Sequence, residues 1–286
     1  MDTQPPVVVR RHYLDVPWGQ VHMRAAGSPA APLLLLLHQT PLSGRSYAPV
    51  LGLLGHDLHA VAPDTAGYGA SDPPPEPWEL ADYARAVWAI VDAIGAERVV
   101  LLGQHTGAVV SIEATRQQPE RVAGVVLHGV PVYTDEERAE RARSYAPPYH
   151  IDADGSHLTA IWNRQRRLYP RQDPASATAY VADYLAAGPD YATAYRAVFA
   201  HDGSANLKAV ADHPVLLLCG EHDLVHHHHL RAAARLPGAR EVTLPDATDF
   251  APAEQPVAFA DHVRSFLREV GVLSGFLPAT SNRSDH

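Results

Sequence analysis

Short apolar runs alternate with longer amphipathic stretches along most of the chain. The apolar runs predict strands at 7–16, 21–26, 32–38, 58–63, 99–102, 122–128, 215–219 and 239–244. Apolar residues at helical spacing predict helices near 43–54, 80–94, 105–118 and 256–270, with another that ends near residue 236. Because strands and helices alternate, the pattern indicates an α/β protein with a mostly parallel central sheet flanked by helices.

Residues 131–212 depart from this alternation. They contain no strand-like run and predict amphipathic helices near 135–143, 158–168, 175–187 and 191–201. We therefore expect a core domain of residues 1–130 and 213–270, a helical cap at 131–212 inserted after the sixth strand, and a flexible tail at 271–286. Such a cap would lie over the carboxyl ends of the strands, where open α/β sheets bind ligands.

The stretch from 99 to 110 has the most specific pattern. Four apolar residues that suit a buried parallel strand lead into G-Q-H-T-G at 103–107, and a helical pattern follows. Gly103 and Gly107 permit a sharp strand-to-helix turn, because a side chain at either position would collide with its neighbour. The turn would thrust the middle residue, His105, outward at the start of the helix.

Composition excludes several classes of protein. The chain has 286 residues, of which 46% are hydrophobic and 19% charged, as in a folded globular protein. A net charge of −9 argues against nucleic-acid binding. The one cysteine, Cys219, excludes an intramolecular disulfide, and the longest apolar run near the start, 33–37, is too short to cross a bilayer. We expect a cytoplasmic protein with a small-molecule substrate and no membrane partner; its oligomeric state stays open.

The G-Q-H-T-G stretch resembles the nucleophile elbow G-x-S-x-G of the α/β hydrolase family, with His105 in the serine position. Four further stretches extend the resemblance from about residue 13 to 270. Residues 38–41 (H-Q-T-P) resemble the family's H-G-x-P, and 64–72 its D-x-x-G-x-G-x-S loop. Residues 220–223 resemble its G-x-x-D turn, and 245–256 its G-x-x-H-F stretch, in which Asp249 takes the place of the catalytic histidine.

The resemblance assigns roles to individual residues. The backbone amides of Thr40 and Thr106 would form the oxyanion hole, and Asp223 would be the acid of the triad. Gln39 stands where the family usually has glycine. With His105 and Asp249 in the other two triad positions, the site lacks both a hydroxyl nucleophile and the imidazole that would activate one. A standard acyl-enzyme mechanism is therefore not expected.

The two replacements are complementary. The family geometry brings the elbow residue within hydrogen-bond reach of the histidine position, which predicts a contact between His105 and Asp249. An imidazole oriented by a carboxylate can act as a general base and then as a general acid. The helix N-terminus lowers the pKa of His105 and Asp249 raises it, so we expect titration near neutrality. Asp223 would lie close to Asp249, and one carboxyl would hold a proton unless a cation or His105 compensates.

We weigh three hypotheses. The first is an enzyme that uses His105, Asp249 and Asp223 for acid/base chemistry on a small, mostly apolar substrate of carbonyl or ester type. The reaction would be water-mediated hydrolysis, or a lyase, isomerase or cyclase reaction without an acyl-enzyme. The second is an inactive hydrolase-like protein that binds a ligand under its cap. The third is a serine esterase that draws on Ser43, Ser46 or Ser71, although none of these stands on the elbow.

Other residues add to the predicted site. The expected substrate pocket includes His38, Gln39, Gln104, His128 and Trp162. His128 fits either a hydrogen-bonded core histidine or a second acid/base group. A His/Asp metal site from His105, His128, Asp223 and Asp249 is an alternative interpretation. Because their spacing matches no ligand motif, we expect neither a metal nor a cofactor.

Two further groups of side chains have alternative interpretations. The histidine run 226–229 is predicted to be a solvated helix face. Aromatic residues of the cap would line an apolar pocket or pack cap against body: Tyr145, Tyr149, His150, Trp162 and Tyr169. Arginines of the cap would receive an anionic substrate or form a solvated face: Arg164, Arg166, Arg167 and Arg171.

Overall fold

A computed structural model describes residues 7–201 and 206–273 and shows one eight-stranded sheet. The strands are β1 (Arg10–Val16), β2 (Gly19–Ala26), β3 (Leu33–Leu37), β4 (His59–Pro63), β5 (Val99–Gln104), β6 (Val122–His128), β7 (Val215–Gly220) and β8 (Arg240–Leu244). They lie in the order β1-β2-β4-β3-β5-β6-β7-β8. Among the strands of the described residues, β1–β2 and β2–β4 pair antiparallel and the other neighbours pair parallel. The predicted α/β fold with a mostly parallel sheet is confirmed.

Helices cover both faces of the sheet. They are α1 (Ala48–Leu54), α2 (Leu80–Ile94), α3 (Thr106–Gln117), α4 (Asp135–Ser144), α5 (Ser156–Leu168), α6 (Pro174–Ala186), α7 (Thr193–Phe199), α8 (His226–Arg235), α9 (Ala251–Glu254) and α10 (Pro256–Glu269). In β3, Leu35 belongs to the core under α2 and α3, whereas Leu34 and Leu36 belong to the core under α1 and α10. This alternation arises because successive side chains of a strand point to opposite faces.

Helices α4 to α7 lie in the segment between β6 and β7, close to their predicted positions. The last of them begins at Thr193, two residues later than predicted, and Tyr191 instead packs in a small cluster with Ile161 and Tyr184. We call α4 to α7 and their connections the helical segment. Most of the predicted tail, residues 274–286, lies outside the described residues.

No helix within 7–201 or 206–273 combines the length and the apolar composition needed to cross a membrane.

Candidate active site

The turn between β5 and α3 holds His105 in a backbone conformation with φ of 48°, which residues other than glycine seldom adopt. Both flanking glycines are required sterically. A Cβ on Gly103 would lie 2.2 Å from the carbonyl oxygen of Gly107, and a Cβ on Gly107 would lie 2.1 Å from that of Leu37. The strand, turn and helix thus project the His105 side chain from the carboxyl edge of the sheet.

His105 makes its side-chain hydrogen bonds with Asp223, on the loop after β7. Its Nε2 lies 3.1 Å from each carboxylate oxygen of Asp223, and the His105 side chain is 13% exposed. The predicted bond from His105 to Asp249 is therefore wrong. An imidazole reaches farther from the backbone than a serine hydroxyl. His105 therefore contacts Asp223 directly, with no second histidine between them.

Gly129 lies against the side chains of His105 and Asp223. Its φ is +58°, and a Cβ on it would lie 2.5 Å from Asp223 Oδ2 and 2.8 Å from His105 Nε2. The residue after β6 must therefore be glycine for the two side chains to meet. Sequence reasoning did not identify Gly129, because its need for glycine depends on a contact between two other loops.

Asp249 lies beside the pair and is held by different donors. Its Oδ1 accepts the backbone N–H of Leu224 at 2.9 Å, and its Oδ2 accepts the hydroxyl of Tyr169. Gln104 donates its side-chain amide to the backbone carbonyl of Asp249. One ligand atom from each of His105, Asp223 and Asp249 falls within 4.8 Å of the others. The structure thus brings together the three predicted catalytic residues and adds Tyr169, whose partner the sequence did not indicate.

The ionisation of the three groups follows from their burial and mutual charge. Burial acts to lower the pKa of His105, but the Asp223 carboxylate outweighs it and raises that pKa to about 9. Burial acts in the opposite sense on Asp223, whose pKa the His105 cation holds well below its usual range. Burial and the nearby Asp223 raise the pKa of Asp249 to about 6. At neutral pH, His105 is thus a cation paired with Asp223, instead of titrating there as expected.

The two ring nitrogens of His105 have different surroundings. Nε2 is occupied by Asp223, whereas Nδ1 has no hydrogen-bond partner among the described residues and is not sealed from the adjoining cavity. A proton on Nδ1 can therefore pass to a molecule in the cavity while Asp223 keeps the ring in place.

A cavity of about 250 Å³ adjoins the site between the sheet edge and the helical segment. His105, Asp249, Thr40, Thr106 and Gln39 line its floor. Its other walls carry tyrosines, most of them from the helical segment: Tyr133, Tyr145, Tyr169, Tyr180, Tyr184, Tyr191 and Tyr195. The hydroxyl of Tyr195 donates to the carbonyl of Thr40, which joins α7 to the loop after β3.

Thr40 and Thr106, whose backbone amides are predicted to form the oxyanion hole, both line the cavity. As the first residue of α3, Thr106 has a backbone N–H without a partner inside the helix. Thr40 lies on the loop after β3, whose first residue, His38, packs against Gly107 of the elbow. Their role toward a substrate stays a prediction.

Four of the five expected pocket residues do not line this cavity; Gln39 does. His38 is buried, bonds through Nδ1 to the carbonyl of Gln39 at 2.9 Å and accepts the N–H of Thr65 at Nε2, so it shapes the loop. Gln104 uses its side-chain amide to donate a hydrogen bond to the backbone carbonyl of Asp249. Trp162, on α5, is half-buried and does not line the cavity, whereas its neighbour Ile161 is buried in the cluster with Tyr184 and Tyr191.

His128 is the fourth of these residues. It is fully buried and packs edge-on against Phe259 with ring centroids 5.2 Å apart. Neither ring nitrogen has a partner in the described chain, so the expectation of a hydrogen-bonded core histidine is wrong. Burial lowers its pKa to about 3, which keeps the ring neutral.

The predicted solvated face at 226–229 is also wrong in part. His228 and His229 are buried at the start of α8. His229 accepts the N–H of Val130 through Nδ1 at 3.2 Å, and burial lowers its pKa to about 4. These rings pack against the segment after β6, because α8 turns that face toward the protein.

Two groups of side chains have the donor types of a metal site. His105, Asp223 and Asp249 could supply one imidazole nitrogen and two carboxylates to a divalent cation, and His128 is not in that group. Glu137, His227 and His228 form a second group, but Arg231 already forms a salt bridge with Glu137. The proton that His105 retains to about pH 9 competes with a cation in the first group.

The serines considered as alternative nucleophiles are engaged elsewhere. The hydroxyl of Ser43 donates to Asp183, that of Ser46 to the carbonyl of Ser43, and that of Ser71 to the carbonyl of Asp64. None of them shares a hydrogen bond with His105 among the residues described.

Comparison with known proteins agrees with this architecture. The family model for the alpha/beta hydrolase fold matches residues 32–256. The chain therefore belongs to the α/β hydrolase family, as its motifs predict.

Individual relatives are similar over shorter stretches. A haloalkane dehalogenase of Bradyrhizobium diazoefficiens is 23% identical over 166 residues, 54% of each chain. Epoxide hydrolase A of Mycobacterium tuberculosis is 37% identical over 111 residues, 37% of this chain and 34% of that protein. The matches thus span about half or less of these relatives' lengths. The crystal structure of a hydrolase from Pseudomonas aeruginosa PA01 superposes with a TM-score of 0.76 at 26% identity, covering 90% of this chain and 98% of that one.

Proposed function

We propose that the protein hydrolyses a small, largely apolar ester or lactone with water as the nucleophile and without an acyl-enzyme. One observation carries the proposal: Asp223 holds one ring nitrogen of His105 and leaves the other accessible to the cavity. This arrangement orients an imidazole for proton transfer. The similarity to two proteins named as hydrolases supports water as the second reactant.

In the proposed reaction, Asp249 takes a proton from water as the water oxygen attacks the carbonyl carbon. The amides of Thr40 and Thr106 stabilise the oxyanion. The intermediate then collapses, the bond from carbon to the leaving oxygen breaks, and His105 donates its proton to that oxygen. The products are an acid and an alcohol, and the proton on Asp249 returns to His105. The raised pKa of Asp249 and the cationic resting state of His105 suit these roles.

The first test compares wild-type protein with His105→Gln and Asp249→Asn on p-nitrophenyl esters and lactones. General acid–base catalysis contributes about 10²- to 10⁴-fold, so we expect each variant to lose kcat/KM on that scale. His150→Gln, an exposed histidine of the helical segment, is the matched control and should retain activity. Thermal unfolding of each variant separates lost catalysis from lost folding.

A second test addresses the absence of an acyl-enzyme. Wild-type protein should resist labelling by a fluorophosphonate. A single turnover in ¹⁸O-labelled water should place the label in the acid product and none in the protein. A fluorophosphonate adduct or ¹⁸O in a protein carboxylate would contradict water as the direct nucleophile.

Non-catalytic ligand binding is a second candidate, favoured by the saturation of Asp249. Both of its carboxylate oxygens already accept bonds, from Leu224 and Tyr169, which weakens it as a base. Ligand binding in the cavity, without hydrolysis and unchanged by His105→Gln and Asp249→Asn, would support this candidate. Turnover of a bound ligand without uptake of water would instead indicate lyase, isomerase or cyclase chemistry.

A further inference from the structure

Two guanidinium groups of the helical segment line the cavity: Arg141 on α4 and Arg164 on α5. Neither forms a salt bridge with any described residue. Other arginines of the helical segment and α8 do so, as Arg196 does with Asp190 and Arg231 with Glu137. Cations that line a cavity are usually paired, because removing a charge from water is costly. The two unpaired arginines therefore point to an anionic partner from outside the chain.

Tyrosine rings hold both arginines. Cζ of Arg141 lies 4.6 Å from the ring centroid of Tyr133 and 5.1 Å from that of Tyr145. Cζ of Arg164 lies 5.9 Å from the ring centroid of Tyr184. Contacts with ring faces fix a guanidinium in position without satisfying its five N–H donors.

The remaining donors have few acceptors within the protein. Arg141 shares one long contact with His228 Nε2, at 3.4 Å, and Arg164 has the hydroxyl of Tyr180 as a neighbouring acceptor. Burial raises the pKa of Tyr180 and of Tyr184, so these hydroxyls stay protonated and do not neutralise Arg164. N–H donors thus remain for a ligand.

The charge balance of the cavity also favours an anion. The His105 cation is neutralised by Asp223. Asp249 is the one acidic side chain among the described residues that line the cavity, and burial raises its pKa. Arg141 and Arg164 therefore leave the cavity positive, although the chain carries a net charge of −9.

We propose that Arg141 and Arg164 bind a carboxylate of the substrate, while its apolar part lies against the tyrosine rings. A planar carboxylate accepts paired N–H bonds from a guanidinium fork. The inference rests on the proposed function for the reaction: the substrate class becomes an ester or lactone with a separate free carboxylate.

The test measures binding by calorimetry with 3-phenylpropionate and its amide, 3-phenylpropionamide, which have the same shape and no ester to be hydrolysed. Wild-type protein should bind the carboxylate more tightly. Arg141→Met and Arg164→Met should each weaken carboxylate binding about 10- to 100-fold, the scale of a hydrogen bond to a charged group, and leave amide binding unchanged within about threefold.

Matched controls remove the same charge from the same helices outside the cavity. Arg143→Met on α4 and Arg167→Met on α5 should retain carboxylate binding, because both side chains are exposed. The inference is overturned if wild-type protein binds amide and carboxylate equally or binds neither. It is also overturned if the controls weaken binding as much as the cavity variants, or if phenyl phosphate binds more tightly than the carboxylate.

Binding and hydrolysis fail independently in this design. If the protein prefers the carboxylate but turns over no ester, the proposed function is contradicted and the anion site is supported. If it turns over esters but shows no preference for a second carboxylate, the anion site is contradicted and the proposed function is supported.

Discussion

Replacing Asp223 with asparagine removes the charge that holds the His105 cation. The pKa of His105 is raised from 6.5 to about 9. One pKa unit corresponds to about 1.4 kcal/mol, so the pair favours the charged ring by about 3 kcal/mol. In Asp223→Asn, burial still disfavours the cation and Asp249 alone opposes it, so we expect the pKa of His105 to fall below 6.5.

The sign of the stability change follows from the direction of the shift. A histidine whose pKa is higher in the folded than in the unfolded state stabilises the fold below pH 6.5, and this contribution disappears as pH rises through about 9. Asp223, whose pKa is lowered in the folded state, stabilises the fold at pH values above its ordinary pKa. Wild-type protein should therefore exceed Asp223→Asn by about 3 kcal/mol in free energy of unfolding near pH 6. The difference should shrink at pH 10.

Imidazole titration by NMR on ¹³C-labelled protein measures the shift, and urea unfolding at pH 6 and pH 10 measures the stability. The chain has 18 histidines, and the spectrum of His105→Gln identifies the signal of His105 by its absence. Asp212→Asn, at an exposed position, is the control. The reasoning is refuted if His105 titrates near 6.5 in wild-type protein, or near 9 in Asp223→Asn.

Three further predictions concern the elbow and Asp249. Gly107→Ala places a Cβ against the carbonyl of Leu37, so we expect a loss of about 2 kcal/mol or more of stability, measured by urea unfolding. Tyr169→Phe removes a hydrogen bond that lowers the pKa of Asp249. The acid limb of the pH profile of kcat/KM should therefore move upward from about pH 6. An unchanged acid limb would exclude Asp249 as the group that titrates there. The double substitution His105→Ser/Asp249→His restores a serine, a histidine and an acid, and should react with a fluorophosphonate that leaves wild-type protein unlabelled.

The sheet and the elbow were predictable because their signals are local. Buried parallel strands are continuous apolar runs, such as 33–37, and a turn that forbids Cβ atoms shows as two glycines. The partner of His105 was not predictable, because it depends on how far a side chain reaches between two loops. The orientation of Trp162 depends on the rotation of α5 about its axis. The burial of His228 depends on the packing of α8. Neither property is encoded in the neighbouring residues.

The long reach of His105 constrains how this site could change by single substitutions. The imidazole of His105 contacts the acid directly, whereas a serine, histidine and acid arrangement needs a second side chain between them. A serine introduced alone at position 105 would have no imidazole beside it and would leave Asp223 without its cation. A histidine introduced alone at position 249 would compete with His105 for the same carboxylate. Each single substitution thus disrupts the His105–Asp223 pair without forming a complete serine, histidine and acid triad. Both positions must change together to convert one arrangement into the other.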